Sequence, residues 1–94
     1  MKLDDAKKLI NTEKSIRMAQ IEANLDDWYM ICQKFKAFCD GVYQAYQISN
    51  GITPYPFNTL DNSKGDVTLH TYAWCGYVEL AKKANSLQIE RNLL

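Results

Sequence analysis

Between residues 18 and 46, Met18, Ile21, Leu25, Trp28, Cys32, Phe35, Cys39, Val42 and Tyr46 recur at alternating steps of three and four. That spacing puts them on one side of a helix, and the side must be covered by another helix. From about Glu13 the chain has no proline before residue 48 and no glycine before Gly41. Residues 13–48 therefore read as one long helix, with 23–25 the place where it would kink or break. The opposite side collects Glu22, Asp26, Gln33, Asp40 and Gln44, a mildly acidic stripe that is either a solvated face or a docking surface for a basic partner.

Ahead of this stripe, Asp4 and Asp5 followed by Lys7 and Lys8 suit a short amino-terminal helix over residues 3–10, with Asn11 and Thr12 as a break and a new cap. Behind it, Ser49, Asn50 and Gly51 stop the helix, Gly51 being suited to the left-handed conformation after the last turn. Residues 49–66 read as a loop, because Pro54 and Pro56 remove two donors and bias Thr53 and Tyr55 to extended geometry. This connection is long and unusually apolar. Its Tyr55, Phe57 and Leu60 either plug the open end of the helix pair or anchor a partner. Asp66 can cap a last helix over about 67–92, whose apolar centre is Leu69, Ala73, Tyr77, Leu80, Ala84 and Leu87. Gly76 lies on the edge of that arc, where a missing side chain admits a close backbone approach.

Folding the two long helices back on the loop brings Cys39 near Cys75, Phe35 near Glu79 and Trp28 near Ser86. In that register Met18 and Ile21 overhang the hairpin, to be covered by the short amino-terminal helix or by a second subunit, and Cys75 falls among Lys82, Ser86 and Glu79 rather than in the apolar arc. The expected fold is therefore all-α and a single domain over residues 1–94. It is an antiparallel helical hairpin with a short amino-terminal helix, assembling into an oligomeric bundle through Met18, Ile21, Leu25 and Cys75.

A chain of 94 residues has a limited core, so burial against a second copy or another protein fits its size. Eleven basic and eleven acidic residues cancel, which removes the bulk attraction that drives most nucleic-acid and acidic-membrane binders. No apolar run approaches the roughly 20 residues needed to span a bilayer, and the amino terminus lacks a signal-peptide core, so a cytoplasmic address and no membrane partner are expected. Three cysteines without close pairing suit free thiols. The single histidine, His70, has no evident co-ligands, and no phosphate loop, nucleophile elbow or converging carboxylates are present. No catalytic residue, metal or cofactor is expected. What remains is a binding role, with Tyr29, Tyr72, Tyr55 and Phe57 as aromatic anchors and Glu22, Asp26 and Asp40 as the acidic surface.

The run Gly41-Val-Tyr-Gln-Ala45, then Gly51, Pro54-Tyr55, Asn58-Thr59-Leu60 and Trp74-Cys-Gly76-Tyr77-Val-Glu79 resembles the ribosome modulation factor family. It is also similar to small phage-encoded accessory proteins with a helix, a proline–tyrosine loop and a tryptophan–glycine–aromatic helix. The resemblance covers about residues 41–81. The chain departs from it in being neutral, in its longer loop and in its added amino-terminal forty residues. It thus implies an architecture and a phage or mobile-element origin more than it implies RNA binding.

The function expected first is a non-enzymatic interaction protein that binds and modulates a host macromolecular complex. A second expectation is an RNA- or ribosome-associated factor using Lys64, Lys82, Lys83 and Arg91 with Tyr55. A third is an oligomer that sequesters a small molecule or nucleotide between subunits.

Overall fold

The computed structural model describes residues 1–55, 57 and 68–94. Among them the chain is all-helical: α1 (Leu3–Ala23), a single 3-10 turn (Leu25–Asp27), α2 (Trp28–Ser49) and α3 (Thr68–Leu93). Each helix packs on the other two, α1 and α3 running in the same direction and α2 against both. The expected cap at Asp66, and the roles given to Leu60 and Lys64, lie outside the described residues.

The long helix expected over 13–48 is two helices, and the short amino-terminal helix is the first half of α1. Asn11 and Thr12 do not break it. Both are exposed helix positions, where their propensities cost at most about 0.7 kcal/mol each, and burial of Ala6, Ile10 and Ile21 holds α1 down on either side. The break falls at Asn24, inside the stretch where a kink was expected. Its backbone leaves the helix at φ −146° and ψ 80° while its N–H still donates to the Gln20 carbonyl at 2.8 Å. Its side-chain Nδ2 donates to Asp27 Oδ2 at 2.7 Å. Short polar side chains that bond locally in this way favour helix ends over interiors.

α2 ends on a glycine-based reversal. The Gly51 N–H donates to the Ile48 carbonyl and the Ile52 N–H to the Gln47 carbonyl, with Gly51 at φ +73°. Orphan carbonyls of the last turn are thereby satisfied, at a backbone conformation that only glycine adopts without strain.

The core joins Ala6, Ile10 and Ile21 of α1, Ile31, Cys32, Phe35, Cys39 and Tyr43 of α2, and Leu69, Ala73, Leu80 and Ala84 of α3. Gly76 is a contact point: a Cβ built there would lie 3.1 Å from Phe35 Cζ and 3.4 Å from Lys14 Cδ. The α2–α3 pairing sets Tyr43 beside His70 and Gln33 beside Tyr77, within about one helical turn of the expected register.

The overhang that called for a second subunit does not exist. α1 folds back alongside α3, with Lys14 paired to Glu79 at 2.8 Å, Glu22 to Lys83 at 3.1 Å, and Asp26 in the 3-10 turn to Arg91 at 3.0 Å. Ile21 is 0 % exposed within a single chain, and Met18 and Leu25 pack against the same core half-buried. The assignment of Ile21 to an oligomer interface is therefore corrected: the chain covers it itself.

Candidate interaction surface

The turn that joins α1 to α2 exposes three of the residues singled out from the sequence, Tyr29, Glu22 and Asp26, at one end of the bundle. Because Asn24 ends α1 and α2 restarts at Trp28, Tyr29 falls in the first turn of α2 on the outward side and is 63 % exposed. Its ring stands edge-on to Trp28, with centroids 5.7 Å apart at 89°, while the Trp28 ring packs half-buried against the core. That contact holds the phenol without hiding it. Glu22, Asp26 and Asp27 lie around it in sequence and are all exposed.

Two of these carboxylates are engaged by α3, Glu22 by Lys83 and Asp26 by Arg91. Both pairs sit in solvent, where an ion pair contributes about 0–1 kcal/mol. They orient the end of α3 against the turn and remain open to competition from a partner's cations.

The other end of the bundle is built differently. Phe57, expected as an exposed anchor, is 1 % exposed and packs its ring among Tyr43, His70 and Trp74, so that assignment is corrected. Its N–H donates to Asp40 Oδ1 at 2.9 Å, and its carbonyl oxygen accepts from His70 Nε2 at 2.6 Å. A carbonyl only accepts, so Nε2 carries the ring proton. Asp40 spends its other oxygen on Gln44 Nε2 at 3.0 Å, which makes it a loop anchor rather than a free docking charge. Tyr55 is half-buried, its hydroxyl bonded to that of Tyr43 at 2.7 Å and its N–H donating to Gln47 Oε1 at 3.2 Å. Tyr55 and Phe57 thus fold back on α2 and α3.

Tyr72 is half-buried with Lys7 Nζ 5.4 Å above its ring. Lys36 Nζ similarly sits over Trp74 and Tyr77, at 5.5 and 5.8 Å. Cys75 is exposed on α3 and lines a crevice of about 170 Å3 with Ile10, Lys14, Tyr72 and Glu79. The other two thiols are buried. Burial raises the pKa of Cys32, and burial together with the Glu13 carboxylate pushes Cys39 up to about 12.

Of the residues expected to serve RNA, the described ones divide between the two ends of the bundle. Lys83 and Arg91 are paired with Glu22 and Asp26 near the α1–α2 turn, whereas Tyr55 lies at the opposite end of α2. Among the described residues no three His, Cys, Asp or Glu side chains converge as metal ligands, and no described helix is long and apolar enough to cross a membrane.

Asp40, Gln47 and His70 are the residues whose loop-holding role sequence reasoning missed. Gln47 and His70 border the apolar arcs as polar side chains and are each 2 % exposed, whereas Asp40 lies on the polar side of its helix and carried no such signal. A search of protein-family models, of curated proteins and of solved structures finds no match to this chain.

Proposed function

We propose that the chain is a non-enzymatic interaction protein that binds and modulates a host macromolecular complex, acting in the cytoplasm as an accessory protein of a phage or mobile element. The observation that carries the reading is the α1–α2 turn, where an exposed Tyr29 is held by Trp28 and bordered in sequence by Glu22, Asp26 and Asp27. A large aromatic side chain with a polar tip, kept out of its own core, is the kind of anchor around which protein interfaces concentrate their binding energy. The neighbouring carboxylates favour a partner with basic groups around an apolar pocket. The proposed origin rests on the resemblance over residues 41–81.

Capture from a bacterial lysate on immobilised full chain, read by mass spectrometry, tests the reading. A complex retained by the wild type and reduced at least about tenfold by Tyr29→Ala, as expected for loss of an interface anchor, supports it. Capture of nothing, or equal capture by Tyr29→Ala, overturns it.

A further inference from the structure

On one flank of the bundle the surface runs across α1 and α2 alone. An open groove of about 540 Å3 there is lined by the apolar Leu9, Ile16 and Phe38 and by the charged Asp5, Lys8 and Glu13, among others. Leu9 and Ile16 are 44 % and 48 % exposed. On the α2 side the surface continues through Met30, Lys34, Ala37, Gly41, Ala45 and Ile48, which recur at helical spacing and are all exposed. On α1 the matching line is Asp5, Leu9, Thr12, Ile16, Gln20 and Ala23.

The outward face of an amphipathic helix is normally its charged one. Here the two lines carry one charge each, Asp5 on α1 and Lys34 on α2, with Lys8 and Glu13, the latter paired to Arg17, along the edge of the groove. Gly41 adds an independent sign. A glycine inside a helix is destabilising relative to alanine, and the other described glycines have uses: Gly51 adopts positive φ and Gly76 admits Phe35. A Cβ at Gly41 would meet no atom within 4 Å, so nothing in the chain uses the space it leaves.

Charge selects the occupant. Among the described residues neither Asp5 nor Lys34 has an ion-pair partner. Asp5 lies by the amino-terminal end of the groove, whereas Lys34 lies towards the α1–α2 turn, with Arg17, Asp27 and Met30. A two-fold-related copy can therefore meet acid with base twice, and a chain of zero net charge does not repel itself. Two helices exposed over about 27 Å, each about 10 Å wide, offer roughly 500 Å2 per copy, so about 1,000 Å2 in all. That is the lower bound for a specific contact between proteins.

We propose that this α1–α2 face is a homodimer interface, on which a second copy of the chain seats with two-fold symmetry, Gly41 near the closest approach and Asp5 against Lys34 of the partner subunit. The interface differs from the one expected at Ile21, and it does not depend on the role of Tyr29.

Sedimentation equilibrium of the full chain from about 1 to 200 μM, a range that brackets micromolar association, tests it. Wild type should pass from 10.8 kDa to twice that mass. Gly41→Arg should stay at the single mass while keeping its helical circular dichroism and, at the dilute end of the range where wild type is single too, a melting temperature no lower than wild type, because the position is open in the monomer. Asp5→Lys and Lys34→Asp should each weaken association at least about tenfold, and the double variant should restore it. A wild type that remains single throughout overturns the proposal, whatever else binds the face. So does a dimer that survives Gly41→Arg, or a double variant no tighter than the single ones.

Discussion

His70 Nε2 lies 2.6 Å from the carbonyl oxygen of Phe57, and both side chains are all but removed from solvent. This bond ties Phe57, in the segment that follows α2, to the first turn of α3. Replacing His70 with Ala leaves a buried carbonyl unsatisfied and a gap between Phe57 and Trp74. A loss of about 2–3 kcal/mol is expected, read as a lower urea midpoint with retained helical signal in water.

Ile21 is a folding residue. At 0 % exposure a carboxylate is out of reach of water, so Ile21→Asp should destabilise by about 3 kcal/mol. Far-ultraviolet circular dichroism should show helix lost at 25 °C. A variant with unchanged helix content and unchanged melting would contradict the packing of α1.

Gly76→Ala sets two effects against each other. Alanine gains about 1 kcal/mol of helix propensity, but its Cβ would press on Phe35 Cζ at 3.1 Å. Phe35 is fully buried and has little room to yield, so overpacking of about 1–3 kcal/mol should prevail. Chemical denaturation should therefore show a net loss of about 1 kcal/mol.

The three thiols should separate by rate. In the native protein a disulfide reagent at pH 8 should modify Cys75 promptly and leave Cys32 and Cys39 protected, since two are buried and one exposed. Addition of guanidinium should make all three react. Fast modification of Cys39 without denaturant would show that the α1–α2 packing is wrong.

Cys39 also predicts a pH dependence. Its thiol ionises near 9 when unfolded and near 12 when folded, because burial and the Glu13 carboxylate both oppose the thiolate. The unfolded state then releases the proton first as pH rises. The stability Cys39 contributes is full below about pH 9 and is lost progressively toward about pH 12. The stability advantage of wild type over Cys39→Ala, from urea unfolding at pH 8 and pH 10.5, should narrow at the higher pH.

Much of this fold is legible in residue spacing. Cys32, Phe35, Cys39 and Val42 on α2, and Leu69, Ala73, Leu80 and Ala84 on α3, are buried where their periodicity puts them. The spacing that reveals them could not reveal the reversal at Asn24. A hairpin turns both of its arms toward the same core, so the stripe from Met18 to Tyr46 keeps its phase across the break and imitates one continuous helix. The candidate surface was legible only in part. Tyr29 lies outside the apolar arc and is exposed, whereas Phe57 carries the same aromatic signal and is buried. What separates them is the pair of hydrogen bonds from Asp40 and His70, whose partners stand far apart along the chain.

The sequence by itself determined that the chain is helical, which residues face inward on each helix, that Gly51 ends α2 and that Gly76 is a contact. Those properties depend on periodicity, propensity and backbone sterics, all local to a few turns. Only the tertiary structure decided that α1 folds back to cover Ile21, that Tyr55 and Phe57 are pinned against α2 and α3, and that the uncovered face lies across α1 and α2 around Gly41. Each of those depends on which helices meet, and a periodic stripe specifies that it must be covered without specifying by what.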